Sequence, residues 1–127
     1  MILLTVDEII MLHAKLLQAT GGLPGLRDRG LLESAVFSMS AGFEDVEQYP
    51  TVEEKAARLG YALISNHAFV DGNKRVGVLA MLMTLRLNGM VLQYTQRELI
   101  DLGLTAASGD VGYPEILTWI SQHSLSQ

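Results

Sequence analysis

Asn73-Lys74-Arg75-Val76-Gly77-Val78-Leu79-Ala80-Met81-Leu82-Met83-Thr84-Leu85-Arg86-Leu87-Asn88 is the stretch that decides the fold class. Its apolar side chains run almost all the way round a helical projection, and a helix that is apolar on every side has to be covered on several sides. The stretch therefore predicts a central helix surrounded by others. Asn88-Gly89 closes it, because these two residues accept the left-handed turn that ends helices.

Before it, Thr51 and Glu54 have the spacing of a capping box, in which each side chain satisfies the other's backbone amide. Ala56, Leu59, Leu63, Ile64 and finally His67 keep to one face, so the histidine is expected at the end of a helix whose stripe faces the core. Thr5 and Glu8 form a second box, followed by Ile9, Leu12, Leu16 and Leu17 at helical spacing until Gly21-Gly22. This predicts a first helix over about residues 6–20. Leu23-Pro24-Gly25 is turn chemistry. Asp28 suits the cap of a shorter helix carrying Leu31, Leu32, Ala35 and Val36 and fraying near Ser40. Residues 41–50 hold Gly42, three acids and Tyr49-Pro50 without helical period, which predicts an exposed loop or small hairpin.

After the central stretch, residues 91–94 suit a short extended piece, Thr95 and Glu98 form a third box, and Pro114 fits the first turn of a last helix carrying Ile116, Leu117, Trp119 and Ile120. Clean period-two alternation is hard to find, and there is no repeat. The expected fold is an all-α bundle of about six helices. Its 127 residues suit one domain spanning 1–127.

A hydrophobic content of 49% with 18% charged residues is that of a globular chain. A net charge of -5 offers no general attraction for nucleic acid or an anionic membrane, so any bound phosphate must meet a local basic cluster. The absence of cysteine excludes disulfides, thiolate metal sites and a cysteine nucleophile. Acids at Asp7 and Glu8, with no basic leader and no apolar run of spanning length, give a cytoplasmic expectation. There is no GxxxxGK[ST] phosphate loop. His13 shares a face with Ile9, Leu16 and Leu17 and reads as a core or boundary histidine, and His123 falls in a C-terminus expected to fray. Such dispersed histidines give a zinc site little support. Met81, Met83 and Met90 read as packing, and Glu44, Asp45 and Glu47 as a solvated acidic face.

Just ahead of the central helix stands His67-Ala68-Phe69-Val70-Asp71-Gly72. Glycine lets the backbone approach a ligand, and the amides opening the next helix are unpaired and lie at its positive pole, which makes an anion site. Lys74 and Arg75 add full charge there. Beside phosphates, Asp71 needs an intervening cation, and Mg²⁺ is commonly held by few carboxylates together with phosphate oxygens and water. His67 stands one loop away, and a histidine imidazole is the side chain most often used to take a proton from an attacking hydroxyl. A plainer reading fits the same residues: a core histidine, an ordinary turn and solvated charges. Residue types alone do not separate the two.

The run His67-Ala68-Phe69-Val70-Asp71-Gly72-Asn73-Lys74-Arg75 resembles the signature loop of the Fic/Doc superfamily, and the lysine variant resembles its death-on-curing (Doc) branch. Gly21-Gly22, Gly25-Leu26-Arg27-Asp28, Gly30-Leu31-Leu32-Glu33-Ser34-Ala35, Tyr49-Pro50, Glu54-Lys55-Ala56-Ala57 and Asn66-His67 extend the resemblance along the chain to Gly89. It implies a Fic fold, helical apart from a small flap, with His67 as catalytic base, Asp71 as Mg²⁺ ligand, Gly72 and Asn73 as anion hole, Lys74 and Arg75 as phosphate contacts, and Phe69 as core anchor. Residues 41–50 would be the flap that aligns a target segment by strand-like pairing.

Fic adenylyltransferases generally carry proline after the histidine, glycine at the Lys74 position and a second arginine three residues after the first; here stand Ala68, Lys74 and Val78. The resemblance to Doc therefore implies a toxin with kinase activity, which moves the γ-phosphoryl group of ATP to a threonine or serine of a translation factor, elongation factor Tu in Doc. Nucleotidyl transfer is the enzymatic alternative, and a catalytically idle module binding through the flap is the other. The nearest match to a self-inhibiting S/T-xxx-E-G/N helix, Ser40 with Glu44 and Asp45, is poor. Restraint in trans by a small antitoxin of the Phd type, through a disordered tail that folds on the toxin, is what the resemblance implies.

Overall fold

The computed structural model describes residues 1–125. It contains six helices, α1 (Val6–Thr20), α2 (Arg29–Ser38), α3 (Val52–Asn66), α4 (Asn73–Leu87), α5 (Gln96–Ala107) and α6 (Tyr113–His123), and one hairpin between α2 and α3 made of β1 (Gly42–Phe43) and β2 (Val46–Glu47). The fold is all-α, as the central stretch predicts.

All three capping boxes form. At α1 the Thr5 amide donates to Glu8 Oε1 at 2.9 Å while the Glu8 amide donates to Thr5 Oγ1 at 3.2 Å, and the same exchange opens α3 at Thr51 and α5 at Thr95. Asp28 caps α2 by accepting the Leu31 amide at 3.1 Å. Pro114 lies in the first turn of α6, where its missing N–H costs nothing.

The α3–α4 pair is the centre of the molecule. A β-carbon added at Gly77 would stand 2.6 Å from Ile64 Cγ1 and 3.1 Å from the Gly60 carbonyl, so the two backbones approach more closely there than any side chain permits. On one side of the pair, Leu32, Leu59, Leu63, Phe69 and Val76 build a core with α1 and α2. On the other, Ile64, Met81, Leu85, Leu102, Ile116 and Ile120 build a second core with α5 and α6. The all-round apolar character of α4 is thus used on both faces. α2 runs antiparallel to α3, with Asn66 Nδ2 donating to the Leu31 carbonyl at one end and Lys55 Nζ to the Met39 carbonyl at the other.

Glu44 and Asp45 take positive φ of 50° and 64°, the twist that a two-residue hairpin turn requires. Phe43 opposes Val46. Residues 91–94, expected as extended, form a single bridge, Leu92 to Ser124. No helix of the described residues is long and apolar enough to cross a membrane.

Candidate functional site

The segment 67–75 joins α3 to α4, and its conformation is set at its first residue. His67 caps α3 in the left-handed region, at φ 54° and ψ 49°. That turn reverses the chain, so the imidazole does not continue the core-facing stripe expected from the helical spacing. It is exposed, with its backbone carbonyl accepting from Arg27 Nε at 2.7 Å. An exposed ring on a pinned backbone is what a proton acceptor for an incoming group needs.

Behind the loop lies a bracket formed by residues 21–28. The amides of Arg27 and Asp28 both donate to the Ala68 carbonyl, at 2.8 and 2.9 Å, and the Val70 amide donates to the Gly25 carbonyl at 3.0 Å. Leu26 and Phe69 form the bridge between the two strands of chain. Asn73 holds the loop from inside: its Oδ1 accepts from the Phe69 amide at 3.0 Å and its Nδ2 donates to the Phe69 carbonyl at 2.9 Å. The Phe69 ring is 2% exposed and stacks on His13, with centroids 3.8 Å apart and planes 12° from parallel. Phe69 therefore anchors the loop in the core, and the side chain of Asn73 is a loop brace, leaving only its backbone amide to face an anion.

Asp71 is fixed by two amides, that of Leu23 to Oδ2 at 3.0 Å and that of Gly72 to Oδ1 at 2.8 Å. These bonds, the Leu23 amide first, together with the Arg75 guanidinium 3.7 Å away, hold its carboxyl below the ordinary carboxylate range. It is ionised at neutral pH and 42% exposed. Gly72, at φ 78°, is the N-cap of α4 and provides no side-chain cap, so the amides that open the helix have no side-chain partner at the cap. A β-carbon at Gly72 would crowd Leu17 at 3.2 Å and His13 at 3.4 Å.

The two cations are placed differently from each other. Arg75 donates from Nη1 to Thr20 Oγ1 at 2.6 Å and to the Gly21 carbonyl at 2.8 Å, which ties the loop to the last turn of α1. Lys74 is exposed, and its stem runs along Gly103 of α5. Both line one end of a groove of about 370 Å³ between α1, α4 and α5, whose floor is apolar (Leu16, Val78, Leu79, Leu99). A part-exposed ionised carboxylate beside an uncapped helix N-terminus and two cations fits a Mg²⁺-phosphate ligand, in which the protein supplies one oxygen and phosphate and water the rest. Among the described residues there is no group of three or more histidine, aspartate or glutamate side chains placed to hold a metal ion.

Three contributions lay outside the sequence reading. His13 is a core histidine as expected, but its Nε2 also donates to the Asp71 carbonyl at 2.7 Å. Arg27 binds the carbonyl that ends α3. Glu47, read as a solvated acid of the hairpin, pairs at 3.0 Å with the 3%-exposed Lys55 and so fastens the hairpin to α3. Lys55 lies 12 residues before His67, about 18 Å along the helix axis. His123 does not fray: its ring stacks on Trp119 and bonds the Trp119 carbonyl and Glu98 Oε2 at 2.7 and 2.8 Å.

Comparison with known proteins supplies the lineage. The chain is 45% identical over 74 residues to Toxin Doc of Mycolicibacterium smegmatis, an alignment covering 58% of this chain and 57% of that protein. It is 32% identical over 110 residues to Protein kinase doc of Escherichia phage P1, covering 87% of this chain and 86% of that protein. Residues 3–85, which hold α1 to α3, the loop 67–75 and nearly all of α4, match the family described as Fic/DOC. The chain belongs to the Fic/DOC family.

Proposed function

We propose that this protein is the toxin of a toxin-antitoxin module and a Doc-like protein kinase, transferring the γ-phosphoryl group of ATP to a threonine or serine hydroxyl of a translation factor, with elongation factor Tu as the target that the resemblance suggests. The observation that carries it is the pairing of an exposed His67 with the uncapped, lysine-bearing N-terminus of α4, six residues further on at Asn73. Val78 stands where adenylyl-transferring relatives have a second arginine, and a relative aligned over most of its length is named a protein kinase.

In this reading His67 takes the proton of the acceptor hydroxyl, whose oxygen attacks the γ-phosphorus; the bond to the bridging oxygen breaks and ADP leaves. The backbone amides opening α4, with Lys74 and Arg75, stabilise the charge on the transferring group. Asp71 is the group that would hold Mg²⁺, which when bound neutralises charge between the phosphates. Residues 41–50 align the target: the exposed Phe43 and Val46 present an apolar edge, and an extended segment of roughly five or six residues covers the ~18 Å from the Lys55 anchor to His67.

The partner is a small antitoxin of the Phd type. The groove between α1, α4 and α5 suits the apolar face of a helix formed on binding, and its basic end brings such a segment beside Lys74 and Arg75. The test of transfer is incubation of the parent and His67→Ala with γ-labelled and α-labelled ATP, Mg²⁺ and purified elongation factor Tu. Label from the γ position only, abolished in the variant, is the expected result. Label from the α position only replaces the kinase by a nucleotidyl transferase.

A further inference from the structure

We infer that His13, on α1, is a positioning residue for the transfer: it sets the orientation of the Asp71–Gly72 peptide and, through it, of the Asp71 carboxylate. The inference rests on the phosphoryl-transfer reading for its kinetic part and on geometry alone for the rest.

A carbonyl oxygen only accepts, so the 2.7 Å contact between His13 Nε2 and the Asp71 carbonyl places the ring proton on Nε2. The peptide unit is planar and trans, so its C=O and N–H point in opposite directions and cannot turn independently. Fixing the Asp71 carbonyl toward α1 therefore fixes the Gly72 N–H on the opposite side of the chain. Asp71 Oδ1 accepts that N–H at 2.8 Å. The direction in which the carboxylate presents its remaining lone pairs is thus set by the histidine 58 residues earlier together with the Leu23 amide at Oδ2.

His13 is itself held in place. It is 4% exposed, and its ring lies face to face with the buried Phe69. Phe69 has its own N–H and C=O clamped by Asn73. One ring therefore touches the loop at two points, the Phe69 face and the Asp71 carbonyl, between which the chain makes its exposed bend at Val70. The carbonyls of Asn66, His67, Ala68, Phe69 and Gly72 are bonded by Arg27, the 27–28 backbone, Asn73 and Val76. The Asp71 carbonyl is the one in this stretch held by a side chain of α1. A core histidine needs one partner for its polar edge, and nothing in packing requires that partner to be the residue that carries the carboxylate of the site.

Two pairs of variants of the full chain separate positioning from packing. His13→Phe keeps the stack and removes the donor; His13→Gln keeps a donor of similar reach and removes the ring. His13→Asn has the same amide as glutamine but falls short of the carbonyl, so the Gln and Asn proteins carry similar burial costs and differ in reach. Amide hydrogen exchange without nucleotide gives the readout that does not depend on activity. Phe69, Val70 and Gly72 amides are expected to exchange ~10-fold faster in the Phe and Asn proteins and near the parent rate in Gln, with α3 and α6 unchanged. In the kinase assay, the Phe and Asn proteins are expected to lose ~10- to 100-fold in kcat/KM and to need more Mg²⁺, and Gln to recover to within about threefold of the parent. If Gln and Asn exchange alike at 69–72, or all variants transfer at the parent rate with the parent Mg²⁺ dependence, the inference is overturned. A parent without transfer activity overturns the kinase reading instead, and the exchange comparison still decides the role of His13.

Discussion

Residues 41–50 precede α3 and residues 67–72 lead from it into α4, and these two irregular segments, at opposite ends of one helix, share little of their construction. The loop after α3 is bound at nearly every peptide: by residues 21–28 behind it, by Asn73 within it, by His13 and Arg75 to α1. The hairpin before α3 has two strands of two residues, exposed Phe43 and Val46, and one strong attachment, the buried Lys55 to Glu47. Chemistry asks for groups fixed to a fraction of an ångström, whereas recognition of an extended segment asks for an accessible edge and apolar contact. On the proposed function, the difference between the segments follows from those two demands.

The sharpest way to break this comparison is to remove the proposed base, His67. His67→Ala should lower transfer by ~10²- to 10⁴-fold, while thermal unfolding moves by only a few degrees because the ring is exposed. Phe43→Ser with Val46→Ser should raise the KM for the protein target several-fold and leave kcat and the KM for ATP near the parent. If kcat for ATP turnover falls as far in the hairpin variant as in the loop variant, the division of labour is wrong.

Glycine substitutions probe the same contrast through the backbone. Gly22→Ala places a β-carbon 2.8 Å from Asp71 Oδ2 and 3.0 Å from Arg75 Nη2, at φ 122°. It should cost about 1–3 kcal/mol in urea unfolding and reduce transfer as well. Gly42→Ala meets the Val46 carbonyl and should open the hairpin with little loss of global stability, seen as faster hydrogen exchange confined to 42–47. Asn73→Ala leaves the Phe69 N–H and C=O without their partner and should cost about 1–3 kcal/mol.

How far these segments were legible in the sequence follows from where their partners lie. Helices, caps and the hairpin depend on neighbours three to five residues away, and Thr51 with Glu54 or the all-round apolar α4 announce themselves. The residues proposed to react or bind phosphate lie within nine consecutive positions, so the resemblance could collect them. Their supports are not consecutive: Arg27 is 40 residues from His67, Leu23 is 48 from Asp71, and His13 is 58 from Asp71. The left-handed turn at His67 was also invisible, because a helical stripe gives no sign of where the last residue leaves it. The same holds for His123, whose partner Glu98 is 25 residues away.

That last pair carries the smallest expected effect and adds a pH-sensitive contact outside both segments. The hydrogen bond from His123 holds Glu98 at about 2, below its ordinary value, and the bond to Glu98 raises His123. A raised histidine stabilises fully below about 6.5 and loses that contribution as pH rises through its folded value; a depressed carboxylate stabilises above about 4.5 and loses it as pH falls toward about 2. The α5–α6 clasp should be firmest between about 4.5 and 6.5. His123→Gln should flatten the thermal-stability profile over that window by a small amount, with transfer at neutral pH unchanged.

The central claim is that the loop moves a phosphoryl group, and the mass of the modified target tests it most directly. Elongation factor Tu incubated with the parent, ATP and Mg²⁺ should gain the mass of one phosphoryl group on a single threonine or serine and gain nothing with His67→Ala. A gain equal to a nucleoside monophosphate would contradict the kinase account.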